Sequence, residues 1–134
     1  MIRAVVDTNV FVSGIFWKGP PARILHAWTQ RQFKLVVSSP ILAEYRRIID
    51  AFVDRPSHFD PDAFLEAVSL HAEFVEPVRF ARPKCKDPDD DKFLEAALAA
   101  SASHVVTGDK LLLAVVDLPF EIVKPAQFLN ALAR

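Results

Sequence analysis

Short apolar runs and longer amphipathic stretches alternate along this chain. A short apolar run between turn residues is typical of a strand that is buried on both faces. Five such runs predict strands, at Ile2–Val6, Phe33–Val37, Phe74–Val75, His104–Thr107 and Phe120–Val123. Because helical patterns separate these runs, the strands should lie parallel and be joined by right-handed crossovers.

Apolar residues spaced three and four apart predict the intervening helices. We expect these helices at residues 9–16, 21–32, 40–53, 61–72, 87–101, 110–115 and 125–133. In the long alanine-rich helix, Asp87 is interpreted as the N-cap and Asp90 as its capping-box partner. The predicted fold class is α/β, a three-layer α/β/α sandwich around a four- to five-stranded parallel sheet.

Composition sets outer limits on function. The 134 residues suffice for a single domain, spanning residues 1–134, with a substantial core. The net charge of −1 provides no overall attraction for nucleic acid or for an acidic membrane, although a local patch or bound cations could neutralise phosphates. A single cysteine, no signal-peptide pattern and no apolar run near the roughly 20 residues of a membrane span lead us to expect a cytoplasmic protein.

Four acidic residues are predicted to lie at the carboxyl edge of the sheet, where open parallel sheets bind ligands. Asp7 ends the first strand, and Asp109 follows the fourth strand by two residues. Glu44 and Asp91 lie in the first turns of helices. Helical geometry places both at the border of an apolar face, where a carboxylate needs a compensating partner. Other helical acids, Glu66, Glu73 and Glu95 among them, are interpreted as solvated.

Each of these acids has a structural interpretation when it is taken alone. Asp7 could cap the following turn, and acids in a first helical turn favour the helix dipole. A cluster is harder to explain, because two unit charges about 4 Å apart repel by roughly 4 kcal/mol at an effective dielectric constant of about 20. Clustered carboxylates therefore need a cation or must take up protons. Oxygen ligands without histidine or cysteine point to Mg²⁺ or Mn²⁺.

Other candidate chemistries are weaker. The four histidines lie on separate predicted elements and lack paired ligand spacing, and His71 and His104 are interpreted as packed or half-exposed structural residues. Cys85 lies between two lysines, but no base is placed beside it, so we interpret it as a loop thiol. The cluster of Phe11, Phe16 and Trp17 fits either the core or a partner-binding patch, with the core favoured.

With these acids in place, the chain resembles the PIN-domain nucleases, which include the VapC-type toxins of toxin–antitoxin pairs. The opening VVDTNVFVSGIF is similar to the first motif of that family, and KDPDDDKFLEAALAASASHVVTGDKLLL is similar to the region of the third and fourth acids. SPILAEYRRII, around Glu44, is typical but less specific. The resemblance covers nearly the whole chain, and PKCKDPDDDKF is most similar to a subgroup described as PIN-family toxins.

The resemblance implies a Mg²⁺- or Mn²⁺-dependent endonuclease that acts on RNA, with an antitoxin as partner and a homodimer as the assembly. It implies catalytic and metal-ligating roles for Asp7, Asp91, Glu44 and Asp109. It further implies that Thr8, Asn9 and Thr107 support these acids. Asp90 adjoins the third acid, and spacing to Thr107 favours Asp91 as the family equivalent, with a contribution from Asp90 left open. Lys110, Arg46, Arg47, Lys84 and Lys86 are candidates for phosphate contacts or for ordinary solvated surface.

Two alternatives remain from other functional classes. A catalytically silent PIN-like module would keep the fold and only bind a partner; the presence of all four acids argues against it. A phosphoacceptor signalling domain would need an adjacent acid pair after the first strand and an acceptor aspartate ending a central strand, and neither is found. A phosphatase of the Asp-x-Asp type is excluded because Asn9 occupies the position of the second aspartate.

Overall fold

A five-stranded parallel sheet forms the centre of the computed structural model, which describes residues 1–134. The strands lie in the order β3-β2-β1-β4-β5. Their bounds are β1 Arg3–Val6, β2 Lys34–Val37, β3 Glu73–Phe74, β4 His104–Val106 and β5 Glu121–Val123. The predicted α/β sandwich is therefore confirmed, with five strands.

Seven α-helices connect and cover the strands. Their bounds are α1 Thr8–Phe16, α2 Pro20–Thr29, α3 Ser39–Asp50, α4 Pro61–His71, α5 Asp91–Ala100, α6 Lys110–Leu113 and α7 Pro125–Leu132. None of these helices combines the length and the apolar character needed to cross a bilayer. Because parallel strands need long crossovers, each connection contains one or two of the helices, and the connection from β3 to β4 also includes a long irregular segment.

The central strand β1 is the topological switch point of the sheet. From β1 the chain passes to β2 on one side, and it later enters β4 on the other side. Helix α5 packs across β1, β2 and β4. Ligands of open α/β sheets bind beside such a point, outside the carboxyl ends of the strands. The carboxyl end of β1 is therefore the place to look for chemistry, and the next residue is Asp7.

Buried aromatic side chains connect the helices to the sheet. The rings of Phe11 and Tyr45 stack with their centroids 3.9 Å apart, and the Tyr45 hydroxyl donates a hydrogen bond to the Val6 carbonyl. In the predicted aromatic cluster, Phe11 and Phe16 are core residues, whereas Trp17 is 42% exposed and packs against Phe52. The favoured core interpretation is thus correct for two of its three members.

Several helix ends differ from the predicted ones. Helix α2 stops at Thr29 because Arg31 adopts a left-handed conformation with φ of 61°, and the Gln32 amide then bonds back to the Ala27 carbonyl. Helix α3 ends at Asp50 because the following amides bond to carbonyls three residues back rather than four. Both differences lie beyond the last regular turn, where the apolar pattern continues but the backbone no longer has helical hydrogen bonds.

The long alanine-rich helix begins later than predicted. A 3₁₀ turn, Pro88–Asp90, precedes α5, and Asp87 caps that turn by accepting a bond from the Asp89 amide at 3.0 Å. Asp90 makes no capping bond, so the predicted capping box is wrong. Glu95, interpreted as solvated, is buried and accepts a bond from the Phe80 amide at 2.9 Å. A loop that folds over the helix satisfies this carboxylate, and the helical pattern alone could not show such a long-range contact.

Candidate functional site

Asp7 lies at the carboxyl end of β1 and is only 5% exposed. Its Oδ1 accepts a bond from the Val10 amide at 2.9 Å, so Asp7 is the N-cap of α1. Its Oδ2 accepts a bond from the Thr107 hydroxyl. Burial raises the pKa of Asp7; the two hydrogen bonds oppose this shift, and the nearby charges of Asp109 and Glu44 reinforce it. The capping interpretation is correct, and the same carboxylate still faces two other acids.

Asp109 approaches Asp7 from the neighbouring strand. Thr107, directly after β4, is buried, and its hydroxyl donates to Asp7 while accepting a bond from the Asp109 amide at 3.0 Å. The Asp109 carboxylate caps α6 by accepting a bond from the Leu111 amide at 2.9 Å. One threonine hydroxyl therefore connects two of the predicted site residues, which supports the predicted position of Thr107 beside the acids.

Glu44 lies near Asp7, but its own oxygens have close partners. The Thr8 hydroxyl donates a hydrogen bond to Oε2. The Lys92 ammonium group lies 2.8 Å from Oε1, and the Arg47 guanidinium lies 3.5 Å from the same oxygen. Side-chain exposure is 15% for Glu44 and 11% for Lys92, so this is a largely buried ion pair. Thr8 thus contacts an acid as predicted, whereas the Asn9 side chain is exposed and has no hydrogen bond to an acid.

Asp91, by contrast, contacts the backbone of a loop. It is 7% exposed, and its carboxylate accepts bonds from the Lys84 amide at 3.1 and 3.2 Å and from the Cys85 amide at 2.8 Å. These contacts fix the irregular segment before α5 against the start of the helix. Cys85 is buried beside Asp91, and burial raises the pKa of its thiol, with the Asp91 contact adding to the shift. The thiol is therefore not poised as a nucleophile, in line with the sequence interpretation.

Asp90 lies within charge interaction of Asp7 and Asp109. Its side chain makes no hydrogen bond or ion pair in the structure. Burial raises the pKa of Asp90 to about 6, and the charges of Asp87, Asp109 and Asp7 add to the shift while that of Lys92 opposes it. Adjacent aspartates in the sequence thus have different surroundings: Asp91 binds backbone amides, and Asp90 faces other carboxylates.

The arrangement has the donor chemistry of a hard-cation site, although it is not closed around an ion. No three histidine, cysteine, aspartate or glutamate side chains are placed close enough together to hold a metal ion as they stand. Burial raises the pKa values of Asp7 and Asp90, and the nearby charge of Asp109 adds to both shifts. Since all three offer oxygen ligands, a divalent cation between them would relieve their mutual repulsion.

Sequence reasoning missed two contributors to this region, Lys92 and Tyr45. Lys92 lies in the first turn of α5, where a cation opposes the helix dipole, but a helix predicted to begin at residue 87 places it beyond the first turn and hides that signal. Tyr45 belongs to the apolar face of α3 by its spacing. That spacing does not show that the Tyr45 hydroxyl lies close to the acids. Burial raises the pKa of Tyr45 well above its usual value, and the charges of Asp7 and Glu44 add to the shift. Of the two histidines predicted as packed or half-exposed, His104 is buried and His71 is exposed.

Comparison with known proteins agrees with the geometry. No curated protein matches the sequence significantly. Among solved structures, the fold is similar to the crystal structure of PAE2754 from Pyrobaculum aerophilum, with a TM-score of 0.62 over 98% of this chain and 90% of that one. Sequence identity is 15%, so this likeness concerns the fold alone. A family model described as PIN domain matches residues 3–111. This chain therefore belongs to the PIN domain family, whose members are generally nucleases.

Proposed function

We propose that this chain is a Mg²⁺- or Mn²⁺-dependent endoribonuclease that hydrolyses RNA phosphodiester bonds at the carboxyl edge of its sheet. One observation carries the proposal: the buried Asp7 ends the central strand and lies within charge interaction of both Asp109 and Glu44. A buried carboxylate held among other carboxylates is costly unless its site binds something positive. Phosphodiester hydrolysis is a reaction that such a cation promotes, because it neutralises phosphate oxygens and activates water.

The residues around the proposed ion have separate tasks. A bound divalent cation would supply Lewis acidity, neutralise phosphate oxygens and lower the pKa of a water molecule. Asp7, Asp90 and Asp109 provide the oxygen ligands, and Thr107 orients Asp7 through its hydroxyl. Asp91 fixes the loop at Lys84 and Cys85, so its contribution is one of positioning. Among the four acids predicted as ligands, Asp91 is thus proposed to act through the loop, with Asp90 taking its place.

Exposed lysines around the acids support a polyanionic substrate. Lys86 and Lys110 flank the site in sequence, are exposed and form no ion pair. Arg46 is less available, because its guanidinium lies 2.8 Å from Asp62 and 3.6 Å from Asp50. Free lysines can contact backbone phosphates without base specificity. We propose Lys86 and Lys110 as such contacts.

The wider biological role extends the proposal further. We propose that the protein is the toxin of a cytoplasmic toxin–antitoxin pair, that an antitoxin protein blocks its site, and that it forms a homodimer. These statements have their support in the sequence resemblance described above, around Asp7 and the KDPDDDKF block. A small neighbouring reading frame encoding a DNA-binding protein would strengthen the toxin assignment.

Cleavage of defined RNAs by the Asp7→Asn variant tests the enzyme directly. With Mn²⁺ present, the unmodified protein should cleave RNA, and a chelator should stop the reaction. Asp7→Asn should lower the rate by at least about a hundredfold, since it changes a direct ligand and even indirect supports of a metal cost roughly 10–100-fold. Mn²⁺ should also raise the Tm of the unmodified protein, and Asp7→Asn should reduce that rise.

Asp54→Asn provides the matched control, because it makes the same chemical change at an exposed residue outside the site. It should leave cleavage and the Mn²⁺-dependent Tm unchanged. Equal cleavage by the Asp7→Asn and unmodified proteins would reject Asp7 as the centre of the site. Absence of metal-dependent cleavage by any form would favour the catalytically silent binding module.

A further inference from the structure

Lys92 occupies an unusual position for a lysine. It is the second residue of α5, where the positive end of the helix dipole disfavours a cation. Its side chain is only 11% exposed, so it also loses most of its hydration. Such a placement requires specific compensation from anionic or carbonyl groups nearby.

The compensation uses every proton of the ammonium group. Lys92 Nζ lies 2.8 Å from Glu44 Oε1, 2.8 Å from the Asp89 carbonyl oxygen and 2.9 Å from Asp89 Oδ2. An ammonium group has three N–H donors, and these three acceptors match that number. The Lys92 charge is therefore anchored in place, and it is not free to reach out to a substrate phosphate.

The same contacts occupy Glu44. With Thr8 donating to Oε2 and Lys92 lying against Oε1, both carboxylate oxygens have a partner from the protein itself. A Mg²⁺ ion bound to Oε1 would sit about 2.0–2.1 Å from that oxygen, in the space next to the ammonium group. Two positive centres cannot share that space without strong repulsion.

We propose that the Lys92 ammonium group takes the place of a second metal ion beside Glu44, so that the site takes up a single divalent cation, around which the carboxylates of Asp7, Asp90 and Asp109 draw together. This inference rests on the proposed metal-dependent function and specifies the number of ions. Metal-dependent nucleases can employ two ions about 3.5–4 Å apart. Here one of the two positive charges belongs to the protein and Lys92 is a positioning residue that fixes Glu44.

Counting bound Mn²⁺ tests the inference without reference to activity. Isothermal titration and electron paramagnetic resonance give the number of ions per chain for each variant. The unmodified protein should bind one ion. Lys92→Gln removes the charge while keeping a polar side chain, which leaves Glu44 with only the more distant and more exposed Arg47 guanidinium as a cationic partner. Because the exposed Arg47 guanidinium still lies 3.5 Å from Glu44 Oε1, the second ion should appear most clearly in Lys92→Gln combined with Arg47→Gln, whereas Lys92→Arg, which keeps the charge, should bind one.

The second ion of Lys92→Gln should depend on Glu44. The double variant Glu44→Gln/Lys92→Gln should therefore return to one ion per chain. Lys34→Gln makes the same change at an exposed residue at the opposite edge of the sheet, and it should still bind one ion. If Lys92→Gln fails to fold, Glu44→Gln alone decides: it should still bind one ion, with affinity reduced by about tenfold or less.

Two ions on the unmodified protein would overturn the inference. So would one ion on a folded Lys92→Gln/Arg47→Gln variant, or loss of the ion from Glu44→Gln. The Asp7→Asn variant distinguishes a failure of the proposed metal-dependent function from a failure of the role assigned to Lys92. If Asp7→Asn binds Mn²⁺ as the unmodified protein does, the metal site itself is misplaced. If Asp7→Asn loses the ion while Lys92→Gln/Arg47→Gln gains none, only the role of Lys92 is wrong.

Discussion

The two halves of the acid site solve the same electrostatic problem in opposite ways. On the Glu44 side, comprising Thr8, Glu44 and Lys92, each carboxylate oxygen has a hydrogen-bonding or charged partner from the chain. On the Asp109 side, comprising Asp7, Asp90 and Asp109, no carboxylate forms an ion pair: the hydrogen bonds come from neutral donors, and the charge of Lys92 opposes only part of the rise in the pKa of Asp90. The Glu44 side, called here the paired half, contains the Lys92 ammonium group as a cation. The Asp109 side, called the uncompensated half, has no cation paired with its carboxylates.

This difference indicates on which side of the site binding of an external cation would be more favourable. Adding a cation to a carboxylate that already has one gains little, because the desolvation cost has been met by the existing partner. Adding it among carboxylates that repel one another removes a cost and gains an attraction. Within a single site, then, the uncompensated half is the proposed binding surface, and the paired half is its support.

The largest expected effect distinguishes two neighbouring aspartates. Asp90→Asn should lower Mn²⁺-dependent RNA cleavage by about a hundredfold or more and reduce the Tm rise caused by Mn²⁺, because it removes a charge from the uncompensated half. Asp91→Asn keeps an oxygen that can accept from the Cys85 amide, so its loss of activity should be smaller. Cleavage rates and Tm values, measured with and without Mn²⁺, give both comparisons.

Asp91→Ala provides a control for the structural role of that residue. It leaves the Lys84 and Cys85 amides without their acceptor, which should lower the free energy of unfolding by about 1–3 kcal/mol, as measured by urea titration in chelator. If Asp91→Asn instead abolishes cleavage and Asp90→Asn does not, Asp91 is the ligand and the assignment of the two halves is wrong.

A smaller effect should appear in the pH dependence of stability without metal. Asp7 and Asp90 have raised pKa values in the folded state, the latter about 6, so between about pH 4 and pH 6 the folded chain holds protons that the unfolded chain has lost. These groups therefore make the protein less stable as pH rises through that window. Asp90→Asn removes one such contribution. The Tm of this variant minus the Tm of the unmodified protein should therefore increase by a few degrees between about pH 4 and pH 7.

Thermal melting in chelator across that range measures the difference. The Asp54→Asn variant should keep a constant difference in Tm from the unmodified protein, because no shared charge is removed. A constant difference for Asp90→Asn as well would mean that neither burial nor the neighbouring acids raise the pKa of Asp90 in the folded protein.

The smallest expected effect concerns the surface around the uncompensated half. Lys86→Gln and Lys110→Gln should each weaken RNA binding a few-fold at low salt and reduce the slope of log affinity against log salt by about 0.7. Binding is measured in an Asp7→Asn background, which prevents cleavage. Lys34→Gln should change neither quantity, since Lys34 lies at the start of β2, at the other edge of the sheet. A uniform effect of all three would indicate general attraction with no defined RNA path.

Most of the fold could be predicted because it depends on local patterns. The short runs that form β1, β2 and β4 are so apolar that they fit only strands buried inside a sheet. Apolar residues at helical spacing identify the helices between them. The segments that failed depend on distant contacts. By its helical position Glu95 is expected to be solvated, but its carboxylate accepts a hydrogen bond from the Phe80 amide. No residue near Glu95 in the sequence indicates that contact.

The site could be predicted less completely, for a related reason. Strand ends are defined by local residue patterns, so the sequence alone places Asp7 and Asp109 at one edge of the sheet. The same patterns could not separate the surroundings of Asp90 from those of Asp91, because a 3₁₀ turn rotates the chain between them and periodicity assumes a regular helix. The partner of Glu44 lies far along the chain on another helix, and only tertiary packing brings Lys92 to it.

The hydrogen bond from the Tyr45 hydroxyl to the Val6 carbonyl has a mechanical consequence. Tyr45 follows Glu44 on α3, and Val6 is the last residue of β1 before Asp7, so this bond ties a side chain of α3 to the backbone of β1 beside two of the site's acids. With the ring stacked on Phe11, α3 cannot slide along the sheet without breaking a buried contact. The position of Glu44 relative to Asp7 is thus held by contacts of the scaffold itself.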